Sequence, residues 1–242
     1  MTMQDITVCA TSDLVAFEAA RRLASLFDAE DDGQREWHLA VSGGSFATSV
    51  FPRLVEVMAE RTGLASRVHI WFADERWLPH GDAERNSTPI AAALEELSGF
   101  HADKQLHLLV SSDSGPTLEE ACRSYADELA EATDALDLVL LGAGPDGHTA
   151  SLFPGKPGHD AAPRGTISVT DSPKPPSERM SLTLAEIRGA QRVWAVVTGA
   201  GKAEAVALAV RSDDATATPL GAARGVLETV LMLDEPAAAA IS

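Results

Sequence analysis

The chain has 242 residues, 36 of them acidic and 19 basic, for a formal charge of −17 at pH 7. That balance excludes a nucleic-acid backbone or an anionic membrane surface as partner, because both need a basic face; a small anion held by a few gathered cations stays possible. With 45% hydrophobic and 23% charged residues, residues 1–242 read as a single globular α/β domain.

Cys9 and Cys122 are the two cysteines, too few for a disulfide framework. The start, Met1-Thr-Met-Gln-Asp-Ile6, carries an acid and no apolar core of a signal peptide. No apolar run approaches the roughly 20 residues of a membrane span. A cytoplasmic protein is expected.

Ile6 to Cys9 reads as a first strand. Thr11 or Ser12 then caps an amphipathic helix with Leu14, Val15, Ala19, Leu23 and Leu26 at helical spacing. Asp28 to Gly33 reads as an acidic surface turn rather than a metal site. Trp37 to Val41 is the next strand, followed by Ser42-Gly43-Gly44-Ser45 and a helix through Phe51, Leu54 and Val57. Such a turn presents free N–H groups and the positive end of a helix dipole, with two hydroxyls beside them. It is a candidate phosphate site. A plain turn with a serine cap is the competing reading, but two adjacent glycines and two serines exceed what capping requires.

Val68 to Ala73 is a strongly β-prone strand that ends in Asp74-Glu75-Arg76-Trp77. Two acids and an arginine at a strand's carboxyl end suggest a site; a surface salt-bridge cluster is the alternative. Asn86-Ser-Thr-Pro89 starts a helix with proline in its first turn, and Asn86 or Arg85 can reach the same site. Gln105 to Val110 looks like another strand, with His107 an ordinary member of it. Ser111 to Pro116 is a loop, and Thr117 opens a helix to about Thr133.

Leu138 to Leu141 reads as a buried strand, since so short an apolar run ends before a helix forms. Gly142 and Gly144 let the following turn approach a ligand without a Cβ in the way. Asp146 and His148 come next, placing a carboxylate and an imidazole at the carboxyl end of a central strand, the edge where open α/β sheets bind ligands. A structural turn capped by Asp146 would have no need of His148. A dinucleotide fingerprint does not fit either, because no acidic ribose-binding residue follows a further strand at the usual distance.

Beyond Gly155 the periodicity is lost as far as Arg164. Gly165 to Val169 makes a brief strand, Asp171 to Ser177 a proline-rich loop, and Arg179 to Thr183 a strand-like segment whose threonine caps a short helix. Arg192 to Thr198 is a strand ending in Gly199-Ala-Gly-Lys202 and an Ala/Val helix. A lysine in a helix's first turn opposes the dipole. A bound anion explains it better than a solvated side chain does. Val226 to Leu233 closes the sheet, and Pro236 to Ala240 is a tail.

Taken together, Ser42-Gly-Gly-Ser45, Ala73-Asp-Glu-Arg-Trp77, Asn86-Ser87, Gly142-x-Gly-x-Asp-Gly-His-Thr-Ala-Ser-Leu-Phe-Pro-Gly155, Arg179-Met-Ser-Leu-Thr183 and Gly199-Ala-Gly-Lys202 resemble the 6-phosphogluconolactonase family, within the wider sugar-phosphate isomerase and deaminase superfamily. The resemblance implies a three-layer α/β/α fold with a largely parallel sheet. It implies hydrolysis of 6-phospho-D-glucono-1,5-lactone to 6-phosphogluconate, the second step of the oxidative pentose phosphate route, without metal or organic cofactor. By the same likeness His148 is the general base, Arg76 holds the lactone and Asp74 supports the site. Ser42, Gly43, Gly44 and Ser45, with Asn86, Arg179 and Lys202, take the phosphosugar. A monomer is expected.

The chemistry is compatible with those roles. An unperturbed imidazole has a pKa of about 6.5 and accepts a proton from water near neutrality; Asp146, two residues away, is placed to orient it. Ser151 lacks the Gly-x-Ser-x-Gly elbow of a covalent nucleophile. An amino-sugar-phosphate deaminase-isomerase is the nearest rival, but such enzymes, as the resemblance goes, carry tyrosine after Asp-Glu and a further glutamate soon after the histidine. Arg76 stands in the first place, and Thr149 to Gly155 holds no carboxylate. A sugar-phosphate sensor would have no use for Asp74, Arg76 and His148 together.

Overall fold

The computed structural model describes residues 5–156 and 162–241; the first four residues and part of the aperiodic stretch after Gly155 lie outside them. In chain order the strands and helices are β1 (Asp5–Cys9), α1 (Ser12–Glu30), β2 (Trp37–Val41), α2 (Ser45–Ser49), α3 (Phe51–Ala59), β3 (Val68–Phe72), β4 (Asp74–Arg76), α4 (Ser87–Leu94), α5 (Ala102–Gln105) and α6 (Leu118–Ala132). There follow β5 (Leu138–Leu141), β6 (Thr166–Val169), β7 (Arg179–Leu182), α7 (Leu184–Gly189), β8 (Arg192–Val197), α8 (Ala203–Arg211), α9 (Pro219–Ala222), β9 (Glu228–Asp234) and α10 (Glu235–Ala238).

Six strands form one parallel sheet in the order β1-β9-β8-β5-β2-β3, and helices flank it to give the expected three-layer α/β/α fold. Strands covered on both faces need apolar side chains throughout rather than alternation. β2 and β5 are buried at every position, whereas the edge strand β1 alternates between half-buried and exposed residues. A second sheet, β4-β7-β6, is antiparallel and pairs Asp74 with Ser181, Glu75 with Met180 and Arg76 with Arg179.

The capping signals hold. Thr11 Oγ1 accepts from Leu14 N, and Thr117 with Glu120 forms a reciprocal capping box on α6. Several expectations do not. Leu14 is 49% exposed, turned away from the core that Val15, Ala19 and Leu23 enter. The acidic stretch at 28–33 is partly helix, because α1 runs to Glu30, and Asp31 beyond it is held at a pKa of about 2 by the hydrogen-bonded guanidinium of Arg67. The helix after Ser45 is two helices, of which the first is only five residues long.

Gln105 to Val110 is not a strand. Gln105 ends α5, with its amide donating to Ala65 O and Val68 O, and only Leu106 makes an isolated bridge to Ile70. His107 lies flat on Trp71, with ring centroids 3.6 Å apart, and bonds to His69 and Glu128. β9 does not close the sheet but sits inside it, between β1 and β8. Val226 and Leu227, assigned to that strand from sequence, precede it and are exposed. The tail at 236–240 begins as α10, capped by the side chain of Asp234.

Candidate active site

Three adjacent strands, β8, β5 and β2, end side by side, so their carboxyl-edge turns meet. From these turns Lys202, His148 with residues 142–145, and residues 42–45 reach the wall of one cleft of about 330 Å³. β4 and β7 supply the facing wall with Asp74, Arg76 and Arg179, and the turn before α4 adds Asn86. His148 and Lys202 therefore share a cavity. Of the residues singled out from sequence, all line it except Asp146, which acts on it through His148, Glu75, which stands behind the wall bonded to Asn86 N and Ser87 N, and Arg85, which does not reach it. Arg85 is buried elsewhere, donating to Leu78 O and Leu109 O.

The turn after β5 is a tightly bonded unit. Gly144 N donates to His148 O at 3.0 Å, Gly147 N donates to Gly144 O at 3.1 Å, and Thr149 Oγ1 donates to Gly142 O at 2.8 Å. Gly147 takes φ +84°, a left-handed conformation that favours glycine. Within this frame His148 Nδ1 and Asp146 Oδ1 form a short hydrogen bond. An ionised carboxylate only accepts, so Nδ1 carries the proton and Nε2 presents its lone pair. No hydrogen bond to Nε2 is formed among the described residues.

Burial pushes the imidazole of His148 below its ordinary pKa, although the bond to Asp146 pulls it back; the nearby charges of Lys174 and Arg179 push it down. Burial also pushes Asp146 up, but the hydrogen bond from His148 and the charges of His148 and Lys174 leave it below its ordinary value. A neutral ring oriented by a carboxylate can accept a proton from water.

Arg76 is poorly satisfied by the protein itself, whereas Arg179 commits its Nε and Nη2 to the carbonyls of Lys174, Pro175 and Pro176. Arg76 and Arg179 stand directly opposite each other across the antiparallel pair, an arrangement that is unfavourable for like charges. Arg76 Nε and Ser42 Oγ are buried, and neither has a hydrogen-bond partner among the described residues. Burial pushes Lys202 and Arg179 below their ordinary pKa values. Lys202 sits at the N-cap of α8, and its turn is fixed by Asp234, which accepts from Gly199 N. An anion in the cleft would satisfy these groups.

Asp74 and Glu75 organise the wall. Asp74 accepts from Ser151 Oγ at 2.8 Å and from Asn86 Nδ2 at 3.2 Å, and burial raises its pKa. Ser151 is thus fully buried and committed to Asp74 rather than available as a nucleophile. Glu75 accepts from Asn86 N and Ser87 N, capping α4 and fixing Asn86 against the Ser-Gly-Gly-Ser turn. A Cβ on Gly43 would fall 1.9 Å from Asn86 Oδ1, so that approach requires glycine.

Sequence reasoning missed Lys174, which lines the cleft from the proline-rich loop, and it missed the structural work of Glu75 and Asp234. The Asp-Glu pair did mark Glu75; nothing local marks Lys174. Among the described residues no cluster of His, Cys, Asp and Glu could hold a metal ion. No helix among them is long and apolar enough to cross a membrane.

Fold and cleft together define an α/β enzyme with an oriented imidazole set among cations. The sequence profile described as "Glucosamine-6-phosphate isomerases/6-phosphogluconolactonase" matches residues 10–231. A 6-phosphogluconolactonase of Streptomyces coelicolor is 38% identical over 237 residues, covering 93% of this chain and 90% of that one. The crystal structure of 6-phosphogluconolactonase from Thermotoga maritima superposes with a TM-score of 0.79 at 25% identity, covering 95% of this chain and 99% of that one. A monomeric glucosamine-6-phosphate deaminase, 18% identical with a TM-score of 0.79 over 98% of this chain and all of that one, shares the fold. The chain belongs to the glucosamine-6-phosphate isomerase/6-phosphogluconolactonase family.

Proposed function

We infer that the chain is a 6-phosphogluconolactonase, hydrolysing 6-phospho-D-glucono-1,5-lactone to 6-phospho-D-gluconate with His148 as general base. The observation that carries this reading is the single cleft in which a neutral, carboxylate-oriented imidazole faces Arg76, Arg179 and Lys202. The named relatives support the substrate. Arg76 after Asp-Glu, and the lack of a carboxylate between Thr149 and Gly155, support hydrolysis over isomerisation with deamination.

The geometry supports a role for each of these residues. His148 Nε2 takes a proton from water as it attacks the lactone carbonyl. The tetrahedral intermediate then collapses with cleavage of the bond from C1 to the ring oxygen, and the imidazolium returns the proton to that leaving oxygen, while Asp146 holds the ring throughout. Arg76 meets the developing oxyanion or holds the ester. Asp74 keeps Asn86 and Ser151 in place. Ser42, Gly43, Gly44 and Ser45, with Asn86, Arg179 and Lys202, bind the phosphosugar, and the phosphate fixes the pose of the reacting carbonyl from a distance. Because α2 has only five residues, the turn's own N–H and hydroxyl groups matter more here than a long helix dipole. Free Cys9 and Cys122 support a cytoplasmic setting.

The direct test follows proton release from the lactone against its spontaneous hydrolysis. A rate well above that background, unchanged by a chelator, is expected; no acceleration, or loss in chelator reversed by added metal, contradicts the reading. Lys202→Ala is expected to raise KM by about 10- to 100-fold, as for loss of a charged hydrogen bond, with a smaller effect on kcat. An unphosphorylated gluconolactone should be hydrolysed equally by both forms, and equal losses for the two substrates would remove Lys202 from the phosphate site.

A further inference from the structure

The proline-rich loop before β7 brings a cation to the back of the His148 ring. Lys174 Nζ lies 3.4 Å from His148 Nδ1 and 3.6 Å from Asp146 Oδ1. The loop is buckled around this residue. Arg179 Nε donates to Pro176 O at 3.0 Å, and its Nη2 donates to Pro175 O at 3.0 Å and Lys174 O at 3.2 Å. Ser172 Oγ donates to Lys174 O at 2.8 Å and accepts from Lys174 N at 3.2 Å. Much of the Arg179 guanidinium is thereby spent on the backbone of this loop, beyond any role it has toward substrate.

A carboxylate beside Nδ1 does two things to a general base. It fixes the ring, and it also favours the imidazolium, which cannot accept a proton. An ammonium at the same edge offsets the second effect without breaking the first. We propose that Lys174 is a positioning residue for His148, seated against the shared edge of the His148–Asp146 pair so that Asp146 orients the imidazole without holding it protonated. This rests on His148 being the base. The other groups facing the ring are Asp146 on its own turn, Arg179 from β7 and the ring of Phe153, whose centroid is 4.7 Å away. Only Asp146 among them favours the cation, so Lys174 and Arg179 work together against it.

Lys174→Met and Lys174→Arg separate this role from simple substrate binding. Histidine-selective NMR of the free protein reads the His148 titration, and the pH profile of kcat/KM reads its consequence. In Lys174→Met both midpoints are expected to move to higher pH, costing on the order of tenfold in kcat/KM on the acidic side for a one-unit displacement, while the alkaline plateau changes far less. Lys174→Arg should keep the midpoints near wild type. Lys174→Gln provides a second neutral variant, and a native-like amide spectrum guards against misfolding. A His148 titration in Lys174→Met and Lys174→Gln that coincides with wild type overturns the proposal; if KM alone rises, Lys174 is a substrate ligand instead. The NMR arm needs no turnover. Failure of the lactonase reading would appear separately, as wild-type protein that does not outpace spontaneous hydrolysis.

Discussion

His148→Ala is expected to lower kcat by about 10²- to 10⁴-fold, the range for loss of a positioned acid–base group, and to leave KM within a few-fold. The reason lies in where the ring sits. Its Nδ1 is committed to Asp146, its Nε2 has no hydrogen-bond partner among the described residues, and burial pushes it below its ordinary pKa, favouring the neutral ring. In the proposed function the phosphosugar is held by other cleft residues, on the Ser42 turn and at Arg179 and Lys202, so ground-state binding should survive. An interaction made only in the transition state is lost from kcat rather than from KM. Steady-state rates, corrected for spontaneous opening of the lactone, decide the matter. A kcat that does not fall removes the imidazole from the chemistry and leaves the cations as the whole site.

The second large effect is expected at a residue with no side chain. A Cβ added to Gly144 would stand 1.9 Å from His148 Cε1, 2.1 Å from its Nδ1 and 2.5 Å from Asp146 Oδ1. Those contacts are impossible, so the ring and its carboxylate must move. Displacing a reacting group by about 1 Å costs on the order of 10²-fold, and Gly144→Ala should lose that much in kcat. Gly142 provides the internal comparison, because a Cβ there meets nothing within 4 Å. Gly142→Ala should keep kcat within a few-fold, although it lines the cleft. A structure of Gly144→Ala should show the imidazole turned from its present place. Wild-type kcat in that variant would show that the close approach of ring to backbone is not required for catalysis.

What was legible in the chain was whatever is written locally. The apolar runs at 37–41, 138–141 and 192–197 give the parallel strands, and the polar turn after each marks the site. All three turns converge because β2, β5 and β8 are neighbours. Neighbourhood itself is not written locally, so the interior place of β9 was missed. β4 has three residues, too few for a period of two to show, and its pairing with β7 brings Arg76 opposite Arg179 across more than 100 residues of chain. The alternation of leucines at 106–110 imitates a strand, yet Leu108 and Val110 are exposed and only Leu106 makes a β-bridge to the sheet. Lys174 lies in a loop whose proline content says little about direction. Its position depends on Arg179, five residues on, reaching back to the loop's carbonyl groups.

The placement of β9 has an outcome for how the molecule is made. Among the described residues β1 pairs with no strand but β9, so the first described strand in chain order is held by the last. The neighbouring β2, β3 and β5 can dock on one another as they emerge, with β8 next, while residues 5–9 wait without a backbone partner until residues 228–234 arrive. Loss of residues 228–234 would leave β8 as a new border, set β1 adrift and remove Asp234, which fixes the turn that carries Lys202 into the cleft.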